Sequence, residues 1–179
     1  RSDGHTAGIK NCINIIQNLD KLDYKIKNIT LYVFSTENWK RPLKEVNHLF
    51  NLIEEYYSKF KDAANEKNLK INHLGSKKNL SPKLNKIIND VVEITKKNNG
   101  TTVNLAFNYG GRLEIVDAVN KTNSGVITQK KLKKNLYIPN LPDPDLIIRT
   151  GGEIRLSNFL LWQAAYSELY FTKILWPNF

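Results

Sequence analysis

Cysteine is almost missing from this sequence of 179 residues, and methionine is missing altogether. The one thiol, Cys12, cannot close an internal disulfide, and no thiolate cluster can hold a metal. Such usage fits a reducing compartment. Nine glycines and six prolines are too few for a fibrous or low-complexity chain. No apolar run approaches the roughly 20 residues that a membrane helix needs. No secretory leader is legible, and the chain opens on Arg1 rather than Met, so its natural N-terminus is expected upstream. Gly-x-x-x-x-Gly-Lys-Ser/Thr, Gly-x-Gly-x-x-Gly and Gly-x-Ser-x-Gly are all absent, which leaves P-loop, dinucleotide and α/β-hydrolase readings without support. His5, His48 and His73 show no metal-ligand spacing.

What is present is ordinary for one globular domain: 41% apolar, 25% charged and 10% aromatic residues. A chain this long buries about 70% of its unfolded surface. The net charge is +10, made by 22 Lys but only five Arg, alongside 23 Asn. Lysine is scattered, so most of the excess reads as a solvated face rather than a nucleic-acid surface. Arg1, Arg41, Arg112, Arg149 and Arg155 are more informative. A guanidinium fork grips an anion in a way that an ammonium cannot.

Apolar periodicity predicts a helix over 6–20, with Cys12, Ile15, Ile16 and Leu19 on one face. A strand follows at 29–34, and a polar loop over 35–42 that places Pro42 at a helix start. Val46, Leu49, Phe50, Ile53, Tyr57 and Phe60 mark a long helix. Strand 69–74, a helix opened by Ser81-Pro82 and reaching about Lys97, and strand 101–107 come next. A helix then carries Leu113 to Val119, a short one is expected near 129–136, and strands at 145–149 and 168–171 flank an apolar short helix or buried loop over 158–165. Strands alternating with helices argue for an α/β fold on a mainly parallel sheet.

In such a sheet ligands sit outside the carboxyl ends of the strands. Ser35 to Arg41, Asn108 to Arg112 and Arg149 to Ser157 all fall there. Arg41, Arg149 and Arg155 are expected to converge, with the Gly151 and Gly152 amides free to approach an anion. Guanidiniums, serine and bare amides together point to phosphate. His5, beside Gly4 at the start of the first helix, fits an anion site, whereas His48 and His73 read as structural.

These residues also resemble the cis-prenyltransferases, the family of undecaprenyl and dehydrodolichyl diphosphate synthases. The resemblance runs nearly end to end, through Gly4-His5-x-x-Gly8, Leu31 to Pro42, Asn108-Tyr-Gly-Gly-Arg112, Asp145 to Trp162 and Ala165 to Phe171. It implies a single domain: a mainly parallel central sheet of about six strands flanked by helices, with an apolar tunnel. It implies Mg²⁺-dependent addition of isopentenyl diphosphate to an allylic diphosphate, usually farnesyl diphosphate. Arg1, His5 and Arg41 would hold the allylic diphosphate. Ser35, Thr36, Glu37, Asn38 and Trp39 would line the reacting centre, Asn38 positioning or relaying the C2 proton. Arg149, Arg155, Leu156 and Ser157 would grip isopentenyl diphosphate, and Glu168 would help bind Mg²⁺, in a neighbouring subunit's site if shared. A homodimer through residues 169–176 and a cytoplasmic protein touching a membrane surface are implied too, at the endoplasmic reticulum if the source is eukaryotic.

The family's Asp-Gly-Asn-x-Arg-Trp block is absent and is expected before Arg1. Asp3 is not its substitute. The family's C-terminal arm is expected after Phe179, and a few residues near Asn120. A non-catalytic partner subunit is the main alternative, but such subunits lose the Asn-Trp and Arg-x-Ser residues that stand here as Asn38, Trp39, Arg155 and Ser157.

Overall fold

The computed structural model describes residues 2–21, 25–122 and 125–179. Strands β1 (Asn28–Ser35), β2 (Lys70–Leu74) and β3 (Thr102–Tyr109) form a parallel sheet in the order β1-β3-β2. Asn28 and Lys70 both lie opposite Thr102, so the three strands start level. A bulge after Tyr32 shifts the end of β1 and brings Phe34 opposite Phe107.

Helices α1 (Ser2–Asn18), α2 (Leu43–Glu66) and α3 (Pro82–Thr95) cover one face. Their apolar stripes meet Leu31, Ile71 and Val103 in one cluster, and Phe34 and Phe107 in another with Val46, Leu49 and Leu84. Pro42 cannot donate, but its carbonyl accepts from Glu45 and Val46 and so opens α2. The Ser81 hydroxyl accepts from the Leu84 amide at 3.1 Å and caps α3.

The other face carries helices α4 (Gly111–Asn120) and α5 (Gln129–Asn135), the latter capped by Thr128. Leu74, Ala106, Tyr109 and Leu160 pack there with Tyr137 and Phe159. Strands β4 (Leu146–Arg149) and β5 (Glu168–Phe171) pair in parallel as a separate two-stranded sheet.

The α/β class and parallel order match expectation, but the single sheet of about six strands does not. Among the described residues five strands form two sheets. No ladder joins β1 to β4; Tyr32 instead stacks on Phe159, with ring centroids 4.6 Å apart. The first helix starts earlier than its apolar stripe, at Ser2, and α2 runs past Phe60 to Glu66. Residues 158–165 are turns and a short 3₁₀ segment, Gln163–Tyr166, rather than a helix. Positive φ at Ser157, Asn158 and Leu160 rules out a regular helix there.

Glu114 of α4 is 1% exposed and serves as a buried hub. It accepts from the Tyr109 hydroxyl at 2.6 Å, the Gln163 amide at 3.0 Å and the Tyr137 backbone N–H at 3.1 Å. Glu114→Ala strands three donors in an apolar layer. A loss of about 3 kcal/mol or more is expected in urea unfolding, whereas an exposed change such as Lys134→Ala stays within about 0.5 kcal/mol.

Candidate active site

A cavity of about 1090 Å³ runs from the carboxyl ends of the strands into the space between the sheet and helices α1–α3. His5, Ser35, Glu37, Asn38, Arg41, Arg149, Arg155, Leu156 and Ser157 all line it. Three stretches of chain deliver them: the first turns of α1, the 3₁₀ turn Thr36–Lys40 that leaves β1, and the loop that leaves β4.

In the 3₁₀ turn, the Asn38 Oδ1 accepts from the Ser35 backbone N–H at 3.0 Å. Its amide is thereby fixed in orientation. Glu37 is partly buried, which raises its carboxyl pKa, but hydrogen bonds from its own backbone, Asn158, Ser35 and Thr36 outweigh this and hold it below the usual range. It is therefore a carboxylate at neutral pH.

Arg41 follows the turn and donates to Glu45 at 2.9 Å. The same Glu45 oxygen lies 3.8 Å from the His5 Nε2, and the His48 ring stands 6.3 Å from that of His5. Burial lowers the His5 pKa; Glu45 opposes this, while Arg41 and His48 reinforce it. His5 is thus neutral at pH 7, with one ring nitrogen able to donate to a phosphate oxygen.

On the opposite wall, the Arg149 guanidinium donates to the Arg155 carbonyl and the Ser157 hydroxyl, each at 2.6 Å. Arg155 pairs with Glu153. The two glycines before it correct an expectation. Gly151 and Gly152 do have positive φ, but their N–H groups donate to the Ile174 and Thr172 carbonyls at 2.8 and 2.9 Å. They pin the C-terminal segment rather than facing an anion.

The deeper part of the cavity is apolar, lined by Ile9, Leu49, Ile53, Phe60, Ile88 and Val91 among others. Tyr57 of α2 hydrogen-bonds Asp90 of α3, and Lys83 pairs with Glu54 at 2.6 Å, so polar ties close its outer wall. Cys12 of α1 also lines the cavity, and burial pushes its thiol up to about 12, so it is no nucleophile. His73 also reaches the cavity; burial lowers its pKa, and its Nε2 lies 2.9 Å from the Phe107 carbonyl.

Arg1 lies outside the described residues, as does the side chain of Asp3. Thr36 and Trp39 are not on the cavity wall. Trp39 packs edge-on against Phe34 and Phe50 and donates its indole N–H to the Asn108 Oδ1 at 2.8 Å. The apolar ring is worth more in that cluster than beside charged phosphates. Thr36 donates to Glu37 and stands against Gly110. Glu168 is exposed at the start of β5, away from the cavity. No group of three acidic, histidine or cysteine side chains with metal-holding geometry occurs among the described residues. Glu37, Glu45 and Glu153 are each already engaged by donors, so the described residues of one chain do not by themselves offer Mg²⁺ a ligand set.

The family model described as "Putative undecaprenyl diphosphate synthase" matches residues 1–179. The chain belongs to this family. Curated relatives named isoprenyl transferase include those of Fusobacterium nucleatum, 46% identical over all of this chain and 78% of the relative, and of Treponema pallidum, 45% identical over all of this chain and 81% of the relative. Among solved structures, a probable undecaprenyl diphosphate synthase from Campylobacter jejuni superposes with a TM-score of 0.83 at 34% identity, over 97% of this chain and 82% of that one. Lavandulyl diphosphate synthase from Lavandula x intermedia, in complex with dimethylallyl diphosphate, reaches 0.91 at 32% identity over 99% and 80%. The protein is accordingly a prenyltransferase.

Three further residues that the sequence did not single out as substrate contacts support this prenyltransferase site. Asn108 receives Trp39 and donates to the Ser76 and Lys78 carbonyls at 2.9 Å each. Glu45 joins Arg41 to His5. Asn158 links three loops. Asn108 and Asn158 stand within blocks that resemble the family's, and Glu45 has an i,i+4 spacing from Arg41.

Because burial lowers both His5 and His73, neutral imidazole is favoured in the fold. Protonation then favours unfolding, so their share of stability is present above about pH 6.5 and lost as pH falls through their lower folded values. In an NMR titration both rings are expected to show midpoints below 6.5; a midpoint above that for His5 would mean Glu45 dominates burial.

Proposed function

We propose that this prenyltransferase elongates an allylic diphosphate, with farnesyl diphosphate as the expected primer, by adding isopentenyl diphosphate to give a cis-polyprenyl diphosphate. The observation that carries this reading is one continuous cavity with guanidiniums and His5 at its mouth and hydrocarbon side chains along its depth. A diphosphate headgroup and a growing isoprenoid tail need those two environments in that order.

The chemistry asks for charge stabilisation rather than a nucleophile. The allylic C1–O bond breaks, and the diphosphate departs with the electron pair. The C3–C4 double bond of isopentenyl diphosphate then supplies electrons for the new C4–C1 bond. A proton leaves C2, and the released diphosphate is the base available to take it. Arg41 and neutral His5 steady the departing charge on the allylic side. Arg149, Arg155 and Ser157 hold the second diphosphate, with Leu156 beside it. Asn38 acts by position, because an amide cannot keep a proton and its oxygen already accepts from Ser35. Ser35, Thr36, Glu37 and Trp39 shape that turn.

Mg²⁺ belongs to the proposal through the diphosphates, whose charge it would neutralise. Glu168 is the side chain we assign to it, reached from a second copy. A homodimer fits the exposed Leu169, Tyr170, Ile174 and Leu175 near β5. No step above is routed through the metal. No helix among the described residues is long and apolar enough to cross a membrane; contact with a membrane surface is proposed for release of the lipid product.

The test uses the full reading frame, with the segments expected before Arg1 and after Phe179 in place, and follows labelled isopentenyl diphosphate into butanol-extractable product with farnesyl diphosphate, with Mg²⁺ or with EDTA. Incorporation that needs Mg²⁺ is expected, with Arg149→Ala lowering kcat/KM by about 100-fold or more. Folded protein that binds both diphosphates but joins nothing would overturn elongation and favour a subunit that needs a catalytic partner.

A further inference from the structure

Asn158 does not appear among the substrate contacts above, yet it lines the cavity and its side chain reaches two other segments of the mouth. Its Nδ2 donates to the Glu37 Oε1 at 2.7 Å. Its Oδ1 accepts from the Arg112 backbone N–H at 2.8 Å, and its carbonyl accepts from Gly111 N–H at 2.8 Å. It does this from a left-handed backbone, φ 66°, next to Ser157 at φ 47°. One residue therefore ties the turn after β1, the start of α4 after β3, and the loop after β4. The fit is close: a Cβ on Gly110 would meet the Asn158 Nδ2 at 2.7 Å and the Thr36 Oγ1 at 2.4 Å.

A helix cap explains only part of this. Capping α4 needs the Oδ1, and any good acceptor would serve. The donor aimed at Glu37 has no part in capping. It spans the mouth, from the loop holding Ser157 and Arg149 to the turn holding Ser35 and Asn38. We propose that Asn158 is a positioning residue that keeps the two diphosphate-binding halves of the site in register. It fixes Ser157 through the backbone, and Ser157 in turn fixes the Arg149 guanidinium. It fixes Glu37, whose turn orients Asn38. The inference rests on the proposed reading of those halves as the isopentenyl and allylic sides.

Asn158→Asp isolates the relevant bond. The variant keeps an acceptor for the Arg112 N–H, but it sets a carboxylate against Glu37. Its melting temperature is expected to stay near that of the wild type, while KM for isopentenyl diphosphate rises and kcat falls, together about 10-fold or more in kcat/KM. Glu37→Gln in the same chain returns a donor opposite the new carboxylate. Recovery by the double variant, beyond the product of the two single effects, is the expected coupling. Wild-type kinetics in Asn158→Asp, or a double variant no better than that product, would overturn the proposal. The same four proteins titrated with inorganic pyrophosphate by calorimetry give the cycle without turnover. Coupling there with no elongation by the wild type would leave the keying role standing and remove the elongation reading; elongation without coupling would do the reverse.

Discussion

Three parallel strands that begin level and run the same way send their following segments out at one edge of the sheet, and that constraint sets the mouth of the cavity. Asn28 and Lys70 both register with Thr102, so the segments leaving β1, β2 and β3 emerge at one edge. Basic groups from distant parts of the sequence then crowd together: Arg41, Arg112, Arg149 and Arg155 share one cavity. Like charges so close repel, and the fold offsets this with its own carboxylates. Glu45 takes Arg41, Glu153 takes Arg155, and Glu37 lies across from Asn158. Under the proposed function, an arriving diphosphate would exchange with carboxylates at Arg41 and Arg155, and with a carbonyl and a hydroxyl at Arg149. Such an exchange limits ground-state affinity, and catalysis gains only from contacts that strengthen as charge develops on the departing oxygen.

The same sheet separates polar from apolar chemistry. Toward α1–α3 its strands present Ile29, Leu31, Ile71, Val103 and Leu105, which wall the tunnel or the core behind it. Toward the other face the row Thr30, Asn104 and Asn72 is hydrogen-bonded across all three strands, with Asn104 fully buried. A buried amide is tolerable only when its partners are complete. Here they are supplied sideways by neighbouring strands, although Thr30 and Asn72 still line the cavity. His73 lines it too. Its pKa is lowered by burial, which keeps it uncharged beside hydrocarbon.

The sequence made the strands, the long helices and the convergent arginines legible because each has a local signature: apolar period, cap or fork-shaped side chain. Ser81 caps its helix as its position implies. The role of Trp39 was not legible. The turn places it correctly, but only the three-dimensional aromatic cluster with Phe34 and Phe50 decides which way the ring faces. Gly151 and Gly152 mislead for a similar reason. Their positive φ is a local property, whereas the carbonyls of Thr172 and Ile174 that consume their N–H groups come from 20 or more residues away. The split into two sheets depends on pairing between distant edges, which no local pattern encodes.

The many asparagines show the same limit from another side. Read as composition, 23 Asn beside 22 Lys looks like bias spread over the surface. Among the described residues, however, six non-glycine positions have positive φ, and four are Asn68, Asn79, Asn108 and Asn158. Asparagine adopts that backbone more readily than other side chains because its amide can bond locally. At Asn108 and Asn158 the turn also aims the amide at partners across the site. The turn over 157–160 holds three left-handed residues, at a cost on the order of 1 kcal/mol each. The bonds from Asn158 to Glu37, Gly111 and Arg112, with Leu160 buried beneath, offset that strain and hold Ser157 against Arg149. The strained turn and the aligned site are therefore one arrangement: relaxing the backbone there would release the hydroxyl that sets the guanidinium.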